Sequence, residues 1–286
     1  MHIKMPELAR KLARALSGLL AIGGFAVLVS VNASDLYAQW LAEEHITQFS
    51  AIYDDAKNPV RLEYKRQAIL YNERLSGTPT EEDPIPYESQ LFYEREPMMS
   101  WIEIPRIHVK LPIYHGTGEA ELMAGVGHLK GTSLPIGGKS VHCVLLGHSG
   151  MHNMRMFDDL QRLEKGDAIL IHTLNEPYAY TVVWSEVVAP KVAETKCAIT
   201  PGRDDVTLIT CTPYGVNSHR LLVHATRCPY EPDETGQVGI DSYVNGRNAP
   251  LLVACAALAL SFGVYLARRI ARNRNCSGCM KDRKPR

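Results

Sequence analysis

The sequence predicts a mainly β protein, a closed barrel preceded by helices, and two features of the pattern carry that prediction. Short apolar or alternating runs follow one another from residue 101 onward, punctuated by Gly and Pro, as is typical of strands joined by turns. The runs are 101–104, 107–114, 141–147, 168–173, 178–188, 206–211 and 219–226. A barrel leaves no strand edge unpaired, so many short strands in one domain favour closure.

The segment before the strands, 34–100, is predicted to hold helices and then a loop. Apolar residues recur at roughly helical intervals over 34–75, with a break at Asn58–Pro59. They are Leu36, Trp40, Leu41, Leu62, Ile69 and Leu70. Prolines and acidic residues over 76–86 disfavour both helix and central strand, so this stretch is predicted to be a loop. One short helix is expected near 118–124, and the barrel domain is assigned to 101–230.

Two apolar stretches lie towards the ends of the chain, and each adjoins basic residues. Residues 15–31 follow a basic N-terminus, and residues 249–267 precede a basic tail over 268–286. Each stretch is near the length that crosses a bilayer. Because basic flanks stay cytoplasmic, we expect a cell-membrane protein with 34–248 outside and the C-terminal tail inside.

The N-terminal stretch has a second interpretation. Val31-Asn32-Ala33 fits a small-x-small cleavage site, so residues 1–33 are either an uncleaved anchor or a signal peptide removed before Ser34. Residues 231–248 are expected to link the barrel domain to the second apolar stretch.

Composition excludes several classes of function. The 286 residues carry zero formal net charge, so no basic excess indicates nucleic-acid binding. The seven cysteines are too sparse for a small disulfide scaffold, and the Cys276–Cys279 pair lacks the two further ligands that a zinc site needs. The acidic loops do not reproduce a calcium-binding EF-hand, and no metal or organic cofactor is expected.

The chemistry is predicted to lie where three strand runs end or begin. Folding the chain about Gly215–Val216 as a hairpin sets Cys211 opposite Arg220. A thiol beside a guanidinium loses its proton more easily, and the thiolate is the nucleophile. His148 ends another apolar run at a Gly-His-Ser-Gly turn. Cys211, His148 and Arg220 are therefore the candidate catalytic residues for acyl transfer through cysteine.

Other cysteines and histidines fit this chemistry less well. Cys143 lies in the middle of a strand run, where a thiol behaves as a small buried hydrophobe, and strand alternation points it away from the face of His148. Cys197 and Cys228 have no arginine on a paired strand. His142 shares the strand face of His148 but is expected to be structural.

These residues resemble a known family. Thr207-Leu208-Ile209-Thr210-Cys211, with Arg220 nine positions later, is similar to the signature of the sortases, and the string from Thr207 to Ala225 resembles class C sortases, the pilin polymerases of Gram-positive bacteria. The similarity extends from about Tyr71 to Arg227. Other matching segments are Ile104–Ile107, Leu111–Gly116, Gly127–Leu129, Gly131–Pro135, Gly147–Gly150 and Gly166–Asp167.

The resemblance implies a fold, an activity and a lid. The fold is a sortase-type barrel of about eight strands with short connecting helices, and the activity is that of a cysteine transpeptidase that joins an LPxTG-like sorting signal to a pilin lysine. In class C sortases an Asp-Pro-aromatic lid lies over the site, and its Asp pairs with the catalytic Arg. The matching triplet is Asp83-Pro84-Ile85, in which Ile replaces the aromatic residue. The implied partners are pilin subunits and the lipid bilayer.

Three alternatives stay open at this point. The first is a sortase of another class that attaches proteins to peptidoglycan, although the second apolar stretch and the lid-like loop favour the polymerase. A secreted cysteine protease would use the same chemistry with water as the acceptor. An idle adhesion or scaffold module would not need Cys211, His148 and Arg220 together.

Overall fold

The computed structural model describes residues 7–52, 57–92, 97–151 and 156–230. The chain divides into two compact units, 1–237 and 238–286, and the second lies outside the described residues. The predicted linker over 231–248, the apolar stretch over 249–267 and the basic tail also fall outside them.

Two helices precede the barrel, as the apolar pattern predicted. They are α1, Glu7–Ile52, and α2, Pro59–Leu75. Asn58 caps the start of α2: its side-chain oxygen accepts a hydrogen bond from Val60 N at 2.9 Å, and Pro59 is the first helical residue. Within the described ranges, no helix is long and apolar enough to cross a membrane.

Eight strands form a closed barrel, which confirms the predicted architecture. In chain order they are β1 Met98–Ile104, β2 Val109–His115, β3 Val126–His128, β4 Val141–Leu146, β5 Ala168–Thr173, β6 Glu176–Val188, β7 Asp204–Thr212 and β8 His219–Arg227. The order around the barrel is β1-β2-β3-β4-β7-β8-β6-β5. β3 was not predicted because it has only three residues, one of them Gly127.

Two short helices connect strands. The predicted helix near 118–124 is α3, Glu119–Ala124, which confirms the expectation. The second, α4, Pro190–Thr195, follows β6. The sequence analysis assigned no element to α4, which lies between the strand runs 178–188 and 206–211.

Alternation along the strands separates two apolar clusters. Cys143, Leu145 and Leu208 belong to the large cluster that fills the barrel. Val144 and Ile209, which point to the other face of the same strands, pack with Leu222, Val188 and Ala193 in a smaller cluster that α4 covers. Cys211 lies two residues after Ile209, so it faces the same way as this smaller cluster.

Polar contacts bind both long helices to the barrel. The Asn72 amide of α2 donates to Leu134 O at 3.1 Å and accepts from Leu134 N at 2.7 Å. Arg61 and Lys65 of α2 pair with Glu176 at 3.0 and 2.6 Å. Lys110 of β2 pairs with Glu43 of α1 at 2.9 Å.

Candidate active site

The hairpin β7–β8 has the register that the sequence predicted. Cys211 pairs directly with Arg220 across the two antiparallel strands. The turn between them is closed by hydrogen bonds from Val216 N and Asn217 N to Pro213 O, at 3.0 and 2.9 Å. Gly215 adopts a φ of 74° there, a left-handed conformation that favours glycine.

A second pairing, which no local pattern predicts, brings His148 to the same place. β4 runs parallel to β7, with Leu146 beside Ile209. Beyond this pair, Gly147 N donates to Ile209 O at 3.1 Å and the Ser149 hydroxyl donates to Cys211 O at 2.6 Å, so the backbones of His148 and Cys211 lie next to each other. Both residues are half-buried, so a substrate can reach them.

The Arg220 guanidinium is held against the turn that follows Cys211. Its Nη1 donates to Asn217 O at 3.1 Å and to His219 O at 3.0 Å. Arg220 is itself half-buried, and in the next strand it pairs with Val188 of β6. The cation is thus held by turn carbonyls on the strand that pairs with Cys211; a guanidinium near a thiol can stabilise a thiolate or a developing oxyanion.

A residue that the sequence argument missed supports the histidine. Phe157 is fully buried, and its N–H donates to His148 O at 3.0 Å. Its ring lies so close to Gly147 that a Cβ on Gly147 would come within 2.6 to 2.9 Å of three ring atoms. The glycine before His148 is the available sequence signal for this contact.

The competing residues are placed away from this chemistry. Cys143 is fully buried, and burial raises the pKa of its thiol. Burial also raises the pKa of Cys197, whose sulfur contacts Ala193 O. His142 is buried and is held by Ala198 O at 2.9 Å and by the Thr207 hydroxyl at 2.8 Å, in line with the structural role expected for it.

The lid triplet does not make the ion pair that the resemblance implied. Asp83 pairs with Arg74, in the last turn of α2, at 2.9 Å. Ile85 N donates to the Gln67 side chain of α2 at 3.1 Å. The predicted Asp83–Arg220 contact is therefore wrong in this structure, because a nearer guanidinium on α2 takes the carboxylate. The gating role of Asp83, Pro84 and Ile85 stays a prediction.

No group of three or more His, Cys, Asp or Glu side chains within the described ranges is placed to hold a metal ion.

Comparison with known proteins identifies the barrel. A family model described as "Sortase domain" matches residues 102–228. The structure is similar to sortase C1 of GBS Pilus Island 1, at 36% identity and a TM-score of 0.61, over 70% of this chain and 98% of that one. It is also similar to sortase C-1 from Actinomyces oris, at 46% identity and a TM-score of 0.54, over 59% of this chain and 99% of that one.

A curated relative agrees. Sortase A of Streptococcus agalactiae is 30% identical over 145 residues, which are 49% of this chain and 55% of that protein. The match thus spans little more than half of the relative's length. Three findings confirm the resemblance seen in the sequence: the family model, the closed eight-stranded barrel and the matches to two sortase C structures. The chain belongs to the sortase family.

Proposed function

We propose that this chain is a class C sortase, anchored in the cell membrane with its barrel outside, that joins LPxTG-like sorting signals to a lysine of a pilin. The observation that carries the catalytic part is the meeting of three strand positions. The β7–β8 register sets Arg220 opposite Cys211, and the β4–β7 register leads to His148 on the other side. These registers support Cys211 as the nucleophile, His148 as the proton carrier and Arg220 as the cation.

These positions suit a two-step acyl transfer. The Cys211 thiolate attacks the threonine carbonyl of the sorting signal, and Arg220 stabilises the oxyanion. The Thr–Gly bond breaks as His148 gives a proton to the departing glycine amine, which leaves a thioester on Cys211. The lysine amine then attacks the thioester, His148 takes its proton, and an isopeptide bond forms as the thiolate leaves. Neither a metal nor a cofactor enters these steps.

The pilus and membrane parts of the proposal have separate support. One similar solved structure is a sortase C1 of a pilus island. The apolar stretch at 249–267, which lies outside the described residues and precedes a basic tail, favours membrane anchoring. Recovery of the chain in the soluble fraction of cells would contradict that anchoring.

The test is product analysis by mass spectrometry after the full chain is mixed with an LPxTG-like peptide and a lysine-bearing peptide. Wild type should yield the ligated product and the released glycine fragment. Cys211→Ala should yield neither, because among residues 7–52, 57–92, 97–151 and 156–230 no other thiol lies at this strand end. Cys143→Ala, the matched control, should keep activity, since Cys143 is buried in the barrel core.

Other outcomes would redirect the assignment. Ligation to a peptidoglycan-type amine in preference to lysine would favour a cell-wall-anchoring sortase, the second candidate. Cleavage with water as the sole acceptor would indicate a protease. Turnover by Cys211→Ala would contradict the assigned nucleophile.

A further inference from the structure

Two side-chain hydroxyls continue the β4–β7 pairing past the point where its backbone hydrogen bonds stop. The last backbone bond runs from Gly147 N to Ile209 O at 3.1 Å. Beyond it, the Thr210 hydroxyl donates to Gly147 O at 2.8 Å, and the Ser149 hydroxyl donates to Cys211 O at 2.6 Å. Thr210, which precedes Cys211, thus binds Gly147, which precedes His148. Ser149, which follows His148, binds Cys211 itself.

The Ser149 bond falls where a backbone bond would be expected. Carbonyls on one side of a strand recur every second residue, so Cys211 O is the next after Ile209 O to point towards β4. The regular donor would be Ser149 N, two residues after Gly147. The chain bends there, with Gly150 at a φ of 85°, and the serine hydroxyl makes the bond to Cys211 O.

The bend itself is held in place. Gly150 N donates to the Asp158 carboxylate at 2.5 Å, and Phe157 N donates to His148 O. The His148 turn is therefore bound on one side to the segment around Phe157. Beyond Gly147, the Ser149 hydroxyl links the His148 turn to β7.

We infer that Ser149 is a positioning residue for acyl transfer. Its hydroxyl sets the separation of the Cys211 and His148 backbones, and so keeps the thiol and the imidazole within reach of each other. Ser149 acts through the Cys211 carbonyl and exchanges no proton with the substrate. The inference rests on the proposed function, because it takes the roles of Cys211 and His148 from there.

If the Ser149–Cys211 hydrogen bond only stabilised the fold, its loss should lower the melting temperature and leave the reactivity of Cys211 unchanged. Ser149 would then be comparable with Thr173 of β5, whose buried hydroxyl donates to Pro135 O at 2.5 Å. β5 does not neighbour β4 or β7 in the barrel. Loss of the Thr173 bond should lower the melting temperature without changing the relation between Cys211 and His148, so Thr173→Val is the matched control.

The experiment compares wild type, Ser149→Ala, Ser149→Thr and Thr173→Val in the full-length chain. The first readout is the rate at which iodoacetamide alkylates Cys211, followed by peptide mapping across a series of pH values. The second is kcat and KM for an LPxTG-like peptide. Peptide mapping separates Cys211 from the half-buried Cys197 and Cys228.

Ser149→Ala should lower kcat about tenfold with KM nearly unchanged, the effect of one lost hydrogen bond expressed in the transition state. Its alkylation profile should shift to higher pH by about half a unit, as the imidazolium stabilises the thiolate less well. Ser149→Thr, which keeps the hydroxyl, should restore both values. Thr173→Val should keep the wild-type profile.

A wild-type alkylation profile in Ser149→Ala would overturn the inference, and so would an equal shift in Thr173→Val. Failure of the proposed function is a separate outcome. If the wild-type chain forms no product from a sorting peptide, the function is wrong, while the alkylation profiles still decide whether Ser149 positions Cys211 relative to His148.

Discussion

Gly147→Ala tests whether the contact between the His148 turn and Phe157 sets the site. A Cβ at this position would lie 2.6, 2.8 and 2.9 Å from ring atoms of Phe157. Ordinary contact begins at about 3.4 Å, so the ring or the strand end must move by about 0.8 Å. Phe157 is fully buried and has no space to yield, so we expect a loss of about 1–3 kcal/mol of unfolding free energy.

The assay is thermal unfolding together with alkylation of Cys211. For a domain of this size, about 1–3 kcal/mol corresponds to a melting temperature lower by about 2–12 °C. The alkylation rate of Cys211 should also change, because the displaced residue precedes His148.

A double-mutant cycle with Phe157→Leu isolates the contact. Leucine removes most of the ring atoms that the new Cβ would meet, so the double variant should be more stable than the sum of the single effects by at least about 0.5 kcal/mol. Additive effects, or an unchanged melting temperature in Gly147→Ala, would refute the idea that the ring holds the turn.

Two further predictions concern acid stability and the lid. Burial lowers the pKa of His128 to about 4, below its value of about 6.5 in an unfolded chain. Between these two pH values the unfolded state binds a proton that the folded state does not. The unfolding free energy, measured by urea unfolding, should therefore fall by up to about 3 kcal/mol as pH drops from about 6.5 to 4. An equal fall in the unfolding free energy of His128→Gln would contradict this. Asp83 and Arg74 are 81% and 59% exposed, so their pair contributes under about 1 kcal/mol. If the loop gates the site, Asp83→Ala and Arg74→Ala should each speed Cys211 alkylation at most about fivefold with little change in melting temperature; wild-type rates in both would mean that the loop does not gate.

Local pattern was sufficient where the interacting residues are close in the chain. Apolar alternation and turn residues predicted seven of the eight strands and the break before α2. The Cys211–Arg220 pairing followed from the turn, because the length of a hairpin connection sets the register of its two strands. Because side chains alternate along a strand, Cys143 could be assigned to the strand face opposite to that of His148.

The tertiary structure decided the contacts between distant segments. The parallel pairing of β4 with β7 joins residues more than 60 positions apart, and no turn specifies its register. The family resemblance paired Asp83 with Arg220, and the folded chain pairs its carboxylate with Arg74. The Ser149 hydroxyl reaches Cys211 only because β4 ends at Leu146 and the chain bends beside β7. Such contacts depend on packing of the whole barrel, whereas periodicity and turn chemistry carry information over a few residues alone.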